Sequence, residues 1–225
     1  MNKIYKILIV GFLIFGCKNK NANKKITEEK VVFNQDLADE LKRMAEVDQI
    51  AAYIPQGDYK KMTEAQWNSF KDSVFTTHQK RLKQIFDKNG FVGFDLAGKE
   101  GSQNFWLMVQ HSDHNSDFQK EILEKMKIEV ENDNASPSNY AFLVDRVSIN
   151  TGKEQVYGTQ FTYNELGQAY PKNMSDTIGI NKRRKIVGLK PIIERMNEMT
   201  TSHFIMNKSY FNKKGISEPK LYKSE

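Results

Sequence analysis

The 225-residue chain contains a single cysteine, Cys17, so no disulfide can close within it and the fold must be held by its core. Proline is scarce too: of five, four lie after residue 136, which leaves the first half free to form long helices. The N-terminal apolar run, Ile7 to Gly16, is too short to span a bilayer as a helix. No Gly-x-Ser-x-Gly elbow occurs, which argues against a serine nucleophile of that type. The stretch from Phe91 to Gly101 holds three glycines but lacks the Gly-Lys-Ser/Thr ending of a phosphate loop, and it reads as a tight connection. There is no internal repeat.

The N-terminus carries a targeting pattern. Lys3 and Lys6 precede the apolar run, and Leu13-Ile14-Phe15-Gly16-Cys17 resembles a bacterial lipobox. That resemblance implies a signal peptide over 1–16, cleavage before Cys17 and lipidation of its thiol. The expected location is the cell envelope, with the protein lipid-anchored at the outer membrane and facing the periplasm. Residues 18–30, KNKNANKKITEEK, are polar and without hydrophobic period, so with Cys17 they form a tether over 17–30.

The formal charge of +6 is then misleading. The signal holds two of those charges and the tether a net three, so the remaining domain is near neutral. A nucleic-acid partner is not expected. Basic residues beside a lipid favour an anionic membrane surface instead.

Residues 31–208 are long enough for one sizeable core and predict a mainly α, single-domain helical bundle, with 209–225 as a flexible tail. A first helix is expected from Gln35 to about Tyr53, with Leu37, Leu41 and Met44 on one stripe. The next position on that stripe is Asp48, either a carboxylate facing inward or a rim residue turned to water or to an Arg. A second helix, about Thr63 to Lys88, opens on a Thr63-x-x-Gln66 capping box. It places His78 on its apolar stripe, where a core or rim histidine is commoner than a ligand.

Ser102 is expected to cap a helix through Trp106, whose apolar run ends in Gln110-His111-Ser112-Asp113-His114. Polar groups at the end of a buried element must find partners or line a cleft. Ser116-x-x-Gln119 predicts another capped helix to about Glu131. A further helix holds Asp145 and Arg146 within an apolar run, a second place where charge is drawn inward unless a local ion pair or a turn-facing Arg explains it. The period then changes to alternation over Glu154–Thr162, which predicts a small β-hairpin near residues 154–170. Helices follow around Lys182–Leu189 and from Pro191.

Several ordered motifs resemble one bacterial family. They are Gly90-Phe91-Val92-Gly93, Phe105-Trp106-Leu107-Met108-Val109-Gln110-His111-Ser112-Asp113, Asp145-Arg146-Val147, Tyr157-Gly158-Thr159-Gln160 and Arg183-Arg184 before Gly188-Leu189, with Asp48-Gln49 near the start. Together they are similar to the bacterial domain of unknown function 6624 family over roughly residues 36–195. The resemblance supplies no activity. It does single out Asp48, Gln49, Gln110, His111, Asp113, Asp145, Arg146, Tyr157, Gln160 and Arg184.

Carboxylates, amides, one His, one Tyr and Arg side chains can perform acid–base chemistry if they converge. In that reading His111 is the general base, oriented by Asp113 or Asp48, with Asp145 as a further catalytic carboxylate. Arg146 or Arg184 holds an anionic substrate, and Gln49, Gln110, Tyr157 and Gln160 position it. A metal bound by His111-x-x-His114 with Asp113 or Asp48 is an alternative, and no cofactor can be named. The same groups would serve a non-catalytic protein binding a small polar ligand or a protein partner, or a buried network that fixes the helical packing.

Overall fold

A computed structural model describes residues 31–223. Cys17 and the expected signal and tether lie outside the described residues. Within these, the chain is mainly helical with a two-stranded antiparallel sheet. The helices are α1 (Gln35–Ala52), α2 (Glu64–Asn89), α3 (Phe94–Gln110), α4 (Ser116–Glu131), α5 (Pro137–Asn150), α6 (Ile180–Ile186), α7 (Ile192–Met206) and α8 (Lys208–Lys213). Strands β1 (Phe161–Tyr163) and β2 (Ala169–Pro171) lie between α5 and α6.

Local side-chain caps start four of the eight α-helices among the described residues. Asn34 caps α1 by accepting from the Leu37 N–H, and Thr63 and Gln66 form both arms of the expected capping box. Ser136 caps α5 with Pro137 at its first position, where the missing N–H costs nothing.

Two expected caps are corrected. Ser102 does not start a helix: α3 begins at Phe94 and breaks at Gly98, whose φ of +69° permits a kink, so the glycine-bearing stretch is itself helical and Ser102 is buried inside it. The first turn is served from outside, by Asn134, whose backbone carbonyl and Oδ1 accept from the N–H groups of Phe94 and Asp95. Likewise Asn115, not Ser116, caps α4 by accepting from Phe118. Gln119 is thereby freed from capping and is fully buried.

Helix α3 is central and packs against α1, α2, α4 and α5. Leu41, Leu82, Phe105, Ile122 and Leu143 are wholly buried there. Each such apolar side chain contributes about 1.5–3 kcal/mol relative to exposure. A smaller cluster of Ile180, Ile192 and Met196, with Phe161 and Met174 against it, joins α6, α7 and the sheet.

The hairpin is shorter than its sequence suggests. Only Phe161↔Pro171, Thr162↔Tyr170 and Tyr163↔Ala169 pair. Residues 154–160 form no strand, because three N–H groups of that segment go to Asp145 rather than to a ladder. Beyond α7, the segment expected to be a flexible tail contains α8, and Phe211 is buried beside Gly167. Gly167 has φ +77°, and a Cβ there would lie 2.5 Å from Phe211 Cζ. Gly167→Ala is therefore expected to lose about 1–2 kcal/mol to left-handed strain and about 1–3 kcal/mol more to overpacking. A thermal melt checks this: a loss no larger than the strain would show that Phe211 moves away, and an unchanged midpoint would contradict both costs.

Candidate functional site

His111 is the C-cap of α3, with its N–H on the Met108 carbonyl. Where the helix stops, its last carbonyls also accept from side chains. Ser112 Oγ donates to Met108 at 3.1 Å, and Gln119 Nε2 donates to Val109 at 3.0 Å. His111 and Asp113 thus leave the helix instead of continuing its faces.

The ring of His111 is held by a partner 63 residues earlier in the chain. Asp48 is fully buried in α1, and its Oδ2 lies 2.6 Å from His111 Nδ1. Burial pushes the Asp48 carboxyl up, but the contacts with His111 and His78 and the amide of Gln49 outweigh it, leaving it below the ordinary carboxylate value. Asp48 is therefore ionised near neutrality and accepts the Nδ1–H of His111, so Nε2 is the ring nitrogen left out of that contact. Nε2 makes no hydrogen bond among the described residues, and His111 lines a cleft.

His78 approaches the same carboxylate from α2. Its Nδ1 is 3.9 Å from Asp48 Oδ1, too far to bond, and both atoms are buried without partners. The alternative of a rim Asp turned to water or to an Arg is thus corrected: Asp48 faces two histidines.

The cleft measures about 340 Å³ and is lined by α3, α5, β1 and α7 residues, including Trp106, Gln110, His111, Arg146, Gln160 and Arg195. Gln110 Nε2 is buried and unpartnered. Asp113 does not line the cleft but holds Arg146 bidentately, Nε at 2.8 Å and Nη2 at 2.7 Å. Asn150 and Gln119 also donate to Asp113. Burial raises its carboxyl, and the Arg146 bonds and charge with the two amides bring it below the usual value. Arg146 Nη1 reaches Gln160 Oε1 at 3.3 Å.

Asp145 and Arg146 form no local ion pair, since each turns to a separate partner. Asp145 is fully buried and accepts from Val156, Tyr157 and Thr159 N–H groups at 2.7, 3.0 and 2.8 Å. Arg184 grips the same segment from the other side, donating to the carbonyls of Tyr157 and Gly158. These two residues hold up the cleft wall rather than facing His111. Tyr157 does not line the cleft either. Burial and the nearby Asp145 charge push its phenol up, so it stays protonated.

Four of the residues singled out by sequence therefore share the cleft: Gln110, His111, Arg146 and Gln160. Asp48 with Gln49 stands behind His111, and Asp113 behind Arg146. Arg195, Tyr163 and Phe142 also line the cleft, and the sequence did not single them out. A basic residue on an amphipathic helix looks like any solvated one. Among the described residues no three His, Cys, Asp or Glu side chains form a metal-binding group, so His111-x-x-His114 gains no third ligand there.

Both lowered carboxyls bear on acid stability. A carboxyl whose folded value lies below its ordinary value of 3.8 stabilises the protein fully above that pH, and this contribution is lost as pH falls through the folded value. The melting temperature is expected to hold down to about pH 5 and drop below about pH 4. Asp48→Asn and Asp113→Asn should each flatten the drop, and an unaltered acid limb in both would contradict the assignment.

The fold and site define a mainly helical domain with a histidine-bearing cleft whose imidazole contacts a buried aspartate. The chain belongs to the family of unknown function DUF6624, whose model matches residues 35–206. No curated protein and no solved structure matches it.

Proposed function

We propose that the cleft is an acid–base site in which His111 takes a proton from a small polar or anionic substrate, or from the water that hydrolyses it. The observation that carries this reading is the 2.6 Å contact of His111 Nδ1 with a buried carboxylate, which leaves Nε2 unpartnered on a cleft-lining residue. Gln110 Nε2 and Arg146 supply donors for the polar end of the substrate, and Trp106 and Phe142 supply apolar wall. The order of the parts resembles the His–Asp half of a hydrolytic triad, with water in place of a side-chain nucleophile.

The test is turnover of a panel of chromogenic carboxylate and phosphate esters by the full chain and by His111→Gln. Loss of about 10²–10⁴-fold is the expected result. Turnover that survives the substitution would overturn the reading. Nitrogen-15 shifts of His111 give a check that needs no substrate: the proton should reside on Nδ1 at neutral pH.

The N-terminal pattern supports a second proposal, that the protein is a lipoprotein anchored through Cys17 in the cell envelope with its domain on the periplasmic side. Incorporation of a labelled fatty acid into the expressed chain, abolished by Cys17→Ser, is the expected result, and labelling that persists in Cys17→Ser would refute it.

A further inference from the structure

Arg184 is a buried cation with no carboxylate partner. The residue is only 2 % exposed, and it forms no salt bridge among the described residues. Its guanidinium rests on neutral carbonyl oxygens: Nε on Lys190 at 2.6 Å, Nη1 on Tyr157 at 2.6 Å and on Gly158 at 3.3 Å. Nη2 makes no hydrogen bond among the described residues. The nearby Asp145 spends both oxygens on backbone N–H groups. A cation bonded only to carbonyl dipoles, with its one nearby carboxylate bonded elsewhere, is costly to bury, and an anion in direct contact would offset more of that cost.

Arg184 lines a chamber of about 380 Å³ next to the His111 cleft. The two spaces share Phe142, Thr159, Phe161 and Arg195 as walls, so they adjoin one another. Each alone is near the lower limit for a ligand site, whereas together they suit a ligand with a ring or short chain. Three cations, Arg184, Lys190 and Arg195, line the far chamber against one carboxylate, Glu198. That carboxylate is already held by Lys190 and Arg195. The chamber therefore has an excess of positive charge, and its shared walls carry two phenyl rings.

We propose that this far chamber is the subsite for an oxyanion, carboxylate or phosphate, of the ligand, received by Arg184. The ligand is then an elongated molecule with an anionic group at one end, a flat or apolar middle against Phe142 and Phe161, and its proton-yielding group at His111. This rests on the acid–base reading above and adds the direction in which the substrate lies. Arg184 thus has two tasks, holding the wall and receiving the anion.

Calorimetric titration of the full chain with benzoate and with phenylphosphonate tests it, with inorganic phosphate for comparison. Both aromatic probes should bind, phenylphosphonate more tightly than inorganic phosphate, and the stronger of the two probes identifies the favoured oxyanion. Because Arg184 also supports the fold, the informative variants are Ser138→Phe, which fills the chamber without changing charge, and Lys190→Met, which removes a cation from its rim. Each is expected to weaken probe binding by about tenfold or more. Binding lost in Arg146→Met but intact in Ser138→Phe would put the anion in the near chamber and overturn the inference. Absence of binding by either probe at about 20 mM would overturn it too. Neither result touches the acid–base reading, which fails instead if His111 carries its neutral-pH proton on Nε2.

Discussion

Asp145→Ala is expected to destabilise the protein by about 3–5 kcal/mol, the range seen when one member of a buried charged arrangement is removed. Three backbone N–H groups lose their acceptor together, and the buried one, on Thr159, has no water to replace it. Burial already disfavours the charge on Arg184, and the substitution removes the nearby negative charge that offsets this. Against a total stability of about 5–15 kcal/mol, such a loss is large. Asp145→Asn should cost less, because the amide oxygen still serves one side, yet its NH₂ group then faces a donor on the other. Denaturant midpoints of the two variants read this order directly. A loss below about 1 kcal/mol in the alanine variant would mean that the 156–159 segment finds other partners, and that the aspartate is not what supports the cleft wall.

Asp48→Asn is expected to give the largest functional effect. The substitution keeps the volume and removes the charge, so His111 no longer has a carboxylate to fix its Nδ1 proton. An asparagine that presents its NH₂ to Nδ1 favours the opposite tautomer, with the proton on Nε2 facing the cleft, where it cannot act as a base. Where an aspartate orients a catalytic histidine in this manner, the corresponding change lowers turnover by about 10⁴-fold with little change in geometry. The same order of loss is expected here on any ester the full chain turns over. The nitrogen-15 spectrum should show the tautomer inverted, which separates this effect from simple unfolding. An unchanged tautomer in Asp48→Asn would show that the carboxylate does not orient the ring, and His111 would then lose its assigned role.

How much of the site is legible in the chain depends on whether a partner is near or far in sequence. The spacing of Leu37, Leu41, Met44 and Asp48 puts a carboxylate on the apolar stripe, because four points on one helical stripe need only local periodicity, but it leaves core and rim undecided. That Asp48, and not the nearer Asp113, orients His111 cannot be read, since nothing local links positions 63 residues apart. The distance from Ser116 suggests a capping role for Gln119, but one register step, with Asn115 as the cap, turns it inward to close the end of α3. Gln155 gives no signal, although its side chain bonds the backbone of Gln160 and Lys172 and so anchors one edge of the site. Its neighbours alternate like a strand, and alternation cannot tell a ladder from a segment whose N–H groups are collected by a distant aspartate.

Local pattern is enough for the helical class, some of the helix starts, the family, and the set of polar residues worth attention. Periodicity, capping and ordered motifs depend only on neighbours along the chain, so they need no knowledge of the fold. How that set divides is settled by packing: His111 and Arg146 in the cleft, Asp48 and Asp113 behind them, and Asp145 with Arg184 as supports of its wall. The physical reason is that a carboxylate's task is set by the donor it meets. An imidazole, a guanidinium and a row of backbone N–H groups lie beside three aspartates that look alike in the chain, and only the folded arrangement brings each to its own.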